Sequence, residues 1–220
     1  MKERESKRSY HSPRRQEAAE RTRQAILTAA RHLFAVYGYM ATTLPAIARE
    51  ARVSAATVTA VFGTKSALLE ALINEVLGPD SATASAEERP VGRYILGLPD
   101  AASQIRALAA GAKRVHGRGA DVYHIVRGAA AADEAFAAVM HRRQGQLWAD
   151  MRSVAADMAQ RGELAPDVTV ERAADIFWAL CGPETYRLFV VDRGWPPDEY
   201  EHWLVGALTH AVLHRRGESS

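Results

Sequence analysis

From Gln16 onward the apolar positions recur at steps of three and four, with Ile26, Leu27, Ala30, Leu33, Phe34 and Tyr37 on one side of a helix. Gly38 stops this pattern as a glycine just past a helix C-terminus does. Thr42 and Thr43 then offer a hydroxyl cap, and Pro45 suits the first turn of a short helix over 44–51. Arg52 and Val53 make a tight connection, and Ser54 caps a second short helix over 55–61. Gly63 and Thr64 break the chain again before an amphipathic helix over 65–77, lined by Leu68, Leu69, Leu72, Ile73, Val76 and Leu77.

Residues 78–99 hold Pro79, Pro90, Pro99, Gly78, Gly92 and Gly97, the punctuation of a connector, with one helical turn near 93–96. A second helical region follows, with helices expected over 101–115, 120–132, 134–160, 170–191 and 197–215. Gly117 and Gly119, Gly162 with Pro166, and the run Gly194-Trp195-Pro196-Pro197 separate them. No strand run and no internal repeat interrupts the series. The pattern therefore predicts an all-α chain divided into a polar arm (1–15), a three-helix domain (16–78), a connector (79–99), a larger helical domain (100–216) and a short tail (217–220).

Composition supports the helical reading: 42 of the 220 residues are alanine, the strongest helix former. The formal charge of +2 conceals a split. Residues 1–77 carry 12 basic against 7 acidic side chains, whereas 78–220 carry 16 against 19. A basic front end on a mildly acidic body places any polyanion contact in the first part. A solvated tail that aids solubility is the alternative for the arm alone. The single cysteine, Cys181, excludes an internal disulfide and a cysteine-based metal site. No apolar run reaches the roughly 18 residues of a membrane span, and the charged start lacks a secretory pattern, so a soluble cytoplasmic protein with no membrane partner is expected.

The segment Leu44–Gly63, LPAIAREARVSAATVTAVFG, carries the chemistry. Two short helices joined by a tight turn cross steeply and need a small residue in the elbow. Ala48 supplies it, Val53 plugs the turn, and Val58 and Val61 are expected on the inner face of the second helix. With Leu44 as position 1 these residues fall at 5, 10, 15 and 18, the spacing of a helix-turn-helix whose second helix enters the major groove.

The surrounding stretch, 21–73, resembles the DNA-binding region of the TetR family of transcriptional regulators. The resemblance runs through Phe34, Tyr37-Gly38-Tyr39, Ala41-Thr42-Thr43, Ile47-Ala48, Val53-Ser54, Phe62 and Lys65 with Leu68-Leu69. Asp192-Arg193-Gly194-Trp195 and the helices around it are similar to the C-terminal end of many members. The resemblance implies a homodimer on a palindromic DNA operator, usually a repressor, released by a small molecule bound in the C-terminal domain. It also implies that Thr42 or Thr43, Ser54 and Lys65 hold phosphates. The second helix departs from the family pattern, with Ala55, Ala56 and Thr59 where Lys-Gly and a later Tyr are frequent. Its exposed positions, Ala55, Ala56, Thr57, Thr59 and Ala60, hold no Arg for guanine and no Asn or Gln for adenine, pairings worth roughly 1–3 kcal/mol each. Arg52 stands at the turn where glycine is common, within reach of a phosphate or base edge. Arg14, Arg15, Arg21 and Arg23 are candidates for supplementary backbone or minor-groove contacts.

In the C-terminal domain, Tyr123, His124, Trp148, Met151, Phe177, Trp178, Cys181 and Tyr186 are candidates for a cavity that takes a small hydrophobic or aromatic effector. Leu180, Leu188, Phe189, Trp203, Leu204 and Leu208, with Trp178, are candidates for the dimer interface. Other readings stay open: control by a protein partner, action as an activator, or a helical metal enzyme built on His202, His210 and His214. That last reading lacks an HExxH, a phosphate-binding glycine loop and a nucleophile elbow, so no cofactor, metal or catalytic residue is expected. If the arm contributes to binding, deleting residues 1–15 weakens operator binding and flattens its salt dependence, because fewer counterions are released. Unchanged affinity and salt slope in the truncated protein exclude that role.

Overall fold

A computed structural model describes residues 13–78 and 90–213. The helices in chain order are α1 (Pro13–Ala41), α2 (Leu44–Glu50), α3 (Ala55–Phe62), α4 (Lys65–Leu77), α5 (Pro90–Leu96), α6 (Ala101–Ala130), α7 (Glu134–Gln160), α8 (Val170–Leu180), α9 (Pro183–Tyr186) and α10 (Pro197–Val212). A π-helical segment, Arg187–Asp192, joins α9 to the loop before α10. Most of the expected arm, His214 and the tail lie outside the described residues. The chain forms two compact units, and the boundary falls inside α4, after Leu72, rather than beyond its end.

In the first unit, α1 starts at Pro13, earlier than the apolar periodicity indicates. Proline is suited to a first helical position, since its missing N–H would have no intrahelical partner. Arg14 and Arg15 therefore sit in a helical turn and not in an arm. Gly38, at φ 79° and ψ 162°, breaks the helix in a conformation that disfavours a side chain. The core gathers Ile26, Leu27, Ala30, Leu33 and Phe34 of α1 with Tyr39, Ile47, Val58, Leu68, Leu69 and Leu72, all buried. Each such side chain contributes about 1.5–3 kcal/mol when fully buried. Thr43, Ser54 and Thr64 cap α2, α3 and α4 by accepting from the amides of Ala46, Thr57 and Ala67.

The second unit differs from its expected helices in three places. The helices expected over 101–115 and 120–132 are one element, α6, bent at Gly119 (φ −131°, ψ 18°). Packing against α7 and α10 keeps it continuous where local glycine content argues for a break. The helix expected over 170–191 ends at Leu180, because Gly182 takes an extended conformation before Pro183 starts α9. The last helix stops at Val212, and Leu213 pairs with Leu164 in an isolated antiparallel bridge. Asp100, Asp133 and Thr169 cap α6, α7 and α8. The core holds Ile105, Leu108, Met151, Val154, Met158 and Phe177, and Tyr200 lies fully buried among the rings of Tyr186, Phe189 and Trp203.

Gly119 is buried because α4 passes close to it: a Cβ there would collide with Cγ1 of Val76. Valine is stiff at χ1 and cannot turn away without cost. Gly119→Ala is therefore expected to destabilise the protein by about 1–3 kcal/mol in urea unfolding, and Val76→Ala in the same chain to restore part of the loss. Equal stability of Gly119→Ala and wild type contradicts this packing.

Candidate nucleic-acid interface

The elbow between α2 and α3 is closed by two backbone bonds, Val53 N–H to the Ala48 carbonyl (2.9 Å) and Arg52 N–H to that of Arg49 (3.2 Å). Ala48 is buried inside it, which lets the two helices approach. Arg52 stands at φ 57°, the one non-glycine residue with positive φ among the described residues, and its side chain is exposed. On α3 the inner positions are Val58 and Phe62. Val61, expected to face inward, is 39% exposed. Residues three and four beyond Val58 lie on opposite sides of it around the helix, and the core takes the second of them. The Arg23 guanidinium covers the Phe62 ring at 4.8 Å and seals that edge.

The expected phosphate contacts separate into two groups. Thr42 is only 3% exposed, and its hydroxyl is shared between the carbonyls of Leu33 (3.1 Å) and Gly38 (2.8 Å), so it faces inward here, unlike Thr43. Thr43 is exposed and caps α2. Ser54 accepts from Thr57 N–H at 3.0 Å, and the two hydroxyls are hydrogen-bonded at 2.8 Å. Thr57 is thus half-buried and already engaged, whereas Ala55, Ala56, Thr59 and Ala60 are exposed. Lys65 also turns inward: its ammonium donates to the carbonyls of Tyr39 (2.8 Å), Thr42 (3.0 Å) and Met40 (3.4 Å) and lies 4.4 Å from the centre of the Tyr39 ring. An ammonium has three donors, and here each points to a carbonyl.

The outward face of α3 is therefore methyl groups and the Thr59 hydroxyl, with Val61 extending it. Such a face suits thymine methyls in a major groove and leaves phosphate binding to basic residues around it. Arg14, Arg15, Arg21 and Arg52 are exposed, whereas Arg23 is held on Phe62. Arg49, in the last turn of α2, is a further exposed cation that sequence reasoning passed over; its place three residues before Arg52 was the available signal.

The larger unit contains a narrow crevice with room for about one water, lined by His116, Gly119, Ala120, Tyr123, Pro183, Tyr186 and Arg187. Tyr123 and Tyr186 are the cavity candidates that line it. Met151 and Phe177 are instead core residues, and Trp148 packs on that core while its indole N–H donates to Asp175 at 2.8 Å. His124 and Trp178 are exposed. Burial pushes the Cys181 thiol up to about 12, so it carries no thiolate at neutral pH. His116 and Arg187 were missed, since neither stands at a position that periodicity marks. Of the interface candidates, Leu204 and Leu208 are fully buried within the protomer, Leu180, Phe189 and Trp203 are half-buried, and Leu188 is 50% exposed. His202 and His210 are exposed on α10, and among the described residues no three His, Cys, Asp or Glu side chains converge as metal ligands.

Lys65→Met is expected to cost about 1.5–3 kcal/mol of stability by removing charged hydrogen bonds, while the salt slope of DNA binding stays that of wild type. A slope reduced by about one unit instead identifies Lys65 as a phosphate contact. Arg52→Gly relieves a left-handed conformation worth roughly 1–2 kcal/mol at the expense of added chain entropy, so it is expected to unfold no earlier than wild type, whereas Arg52→Val unfolds earlier.

Residues 26–72 match the family profile described as bacterial regulatory proteins, tetR family. No curated protein matches the chain. Among solved structures, NalD of Pseudomonas aeruginosa, the secondary repressor of the MexAB-OprM multidrug efflux pump, is 22% identical; the match covers 90% of this chain and 98% of NalD with a TM-score of 0.64. GusR of Salmonella enterica is 21% identical over 87% of this chain and 95% of its own, at a TM-score of 0.63. A Saccharomonospora viridis protein solved in complex with choline is 18% identical over 89% and 100%, at 0.67. These likenesses extend the shared fold through both units. The profile match and the helix-turn-helix with its exposed second helix make residues 26–72 a DNA-binding region of the tetR type, and the second unit shares the all-helical fold of the solved structures.

Proposed function

We propose that the protein is a homodimeric repressor that reads a roughly palindromic DNA site and is released from it by a small molecule held in the second unit. The observation that carries DNA reading is the exposed, uncharged face of α3, presented by an elbow whose backbone bonds and caps are complete. Exposed Thr43, Arg14, Arg15, Arg21 and Arg52 supply the surrounding contacts. No catalytic step is assigned to any residue, and the site of action is the cytoplasm, where the DNA is.

Dimerisation follows from what reading a palindrome requires: two recognition helices set about one turn of DNA, ~34 Å, or a multiple of it apart. The exposed apolar side chains Trp178, Leu188 and Val191 favour the region of α8 and the π-helical segment as the contact. Release by a ligand is supported by the position of Gly119, which lines the crevice and also touches Val76 of α4, the helix that follows α3. A ligand that alters the bend of α6 has that contact through which to act. NalD is a repressor and the S. viridis relative holds choline, both in keeping with this reading.

Selection of bound genomic fragments by the purified protein is expected to return an inverted repeat, and a compound screen on that complex to return a releasing molecule. A single half-site in the selected fragments excludes the dimeric reading, and activation of the adjacent gene excludes repression. Leu188→Glu is expected to give a helical monomer in sedimentation at micromolar concentration with much weaker operator binding. A dimer retained in that variant and in Trp178→Glu places the interface elsewhere.

A further inference from the structure

We propose that α3 reads the 5-methyl groups of pyrimidines and not their hydrogen-bonding edges, so that its half-site is rich in thymine and 5-methylcytosine substitutes for thymine there. The inference rests on the DNA-reading function proposed above and adds the chemical group that is read. Residues 26–72, the DNA-binding region of the tetR type, include the whole of α3, so duplex DNA as its partner is argued apart from the make-up of the helix face. That face is unusually plain. Ala56 and Ala60 stand one turn apart on it, with exposed Thr59 and Val61 on its two flanks. The eight residues of α3 include no Arg, Lys, Asn, Gln, Asp or Glu. The hydroxyls of Ser54 and Thr57 are bonded to each other at 2.8 Å, and Ser54 also accepts from the Thr57 amide. Thr59 is therefore the one exposed residue of α3 whose side chain is polar.

Thymine and cytosine differ at two places on the major-groove edge. Thymine presents the O4 acceptor and a methyl on C5, whereas cytosine presents an amino donor and no methyl. A hydroxyl both donates and accepts, so Thr59 satisfies either exocyclic group and does not choose between them. The same holds across the base pair, where adenine offers an amino group and guanine a carbonyl. A side chain with a fixed donor and acceptor would restore the choice, and α3 carries none. What its alanine, threonine and valine methyls register is the pyrimidine methyl, by covering it from water. 5-Methylcytosine holds that group at the same carbon, so α3 receives it as it receives thymine. Methylating a cytosine that stands in a thymine position then strengthens binding, and the methylation state of the DNA becomes an input separate from any small molecule.

The test starts from selection of random-sequence duplexes by the full chain. The enriched duplex is resynthesised with deoxyuridine for each thymine in turn, and affinities are measured by fluorescence anisotropy. At one or more thymines of each half-site, deoxyuridine is expected to weaken binding about fourfold, the equivalent of one buried methyl at about 0.8 kcal/mol. A cytosine–guanine pair there is expected to weaken binding at least as much, and a 5-methylcytosine–guanine pair to restore it to within about twofold of the parent duplex. Ala56→Gly, Thr59→Ser and Val61→Ala each remove methyl groups from the face, and thermal unfolding checks that each variant folds. At least one of them is expected to halve the preference for thymine over deoxyuridine. Deoxyuridine duplexes that bind as the parent, a 5-methylcytosine pair no better than the cytosine pair, or an undiminished preference in all three variants overturns the inference alone. A selection that enriches no duplex overturns the DNA-reading function and this inference together.

Discussion

A helix that ends must satisfy the carbonyl groups its missing next turn leaves open, and the first unit is built around one such ending. Gly38 breaks α1 near its end, and the carbonyls of Gly38, Tyr39 and Met40, with that of Thr42 in the loop beyond, lie where no further turn of that helix follows. The Thr42 hydroxyl takes the first, and the Lys65 ammonium takes the other three. Because Lys65 opens α4, this closure joins the end of α1 to the start of α4 and fixes the two ends between which α2 and α3 are strung. The buried Tyr39 ring packs on Phe34 on one side and carries the Lys65 charge on the other. The position of α3 thus rests in part on polar side chains turned toward the backbone.

That arrangement explains which parts of the interface were legible in the sequence. Thr43, Ser54 and Thr64 act on amides three residues away, so the starts of α2, α3 and α4 follow from local chemistry and fall where the caps place them. The roles of Thr42 and Lys65 depend on carbonyls up to 26 residues distant. A hydroxyl or an ammonium beside a recognition motif has the same appearance in sequence whether it faces phosphate or backbone. Val61 and Phe62 differ for a related reason. Periodicity allows either to be buried beside Val58, and it is Phe62 that turns inward, covered by Arg23 thirty-nine positions away. In the second unit, α6 survives Gly117 and Gly119 because neighbouring helices hold it, a tertiary effect no window of residues displays.

The surface left for DNA is unusual in its division of labour. An uncharged α3 carries no bidentate base contact, so discrimination has to come from methyl packing, from the Thr59 hydroxyl and from the shape of the groove. The exposed cations nearest to it stand outside α3, at Arg49 and Arg52 and along the start of the chain. The basic excess of residues 1–77 is concentrated near the start of the chain, where the first 23 residues hold 8 of the 12 basic side chains. Arg23 is withdrawn from that group by Phe62, so the exposed contribution of the described residues there narrows to Arg14, Arg15 and Arg21.

Gly119 joins the remaining features of the second unit. Its missing side chain admits Val76 from one direction, and from another it forms part of the crevice wall. A side chain there would meet Val76, so it is the absence of one that lets α4 approach α6. The bend at this residue is a local departure from helical geometry inside a helix otherwise stabilised on both sides, and a small change in its angle moves two packed surfaces together.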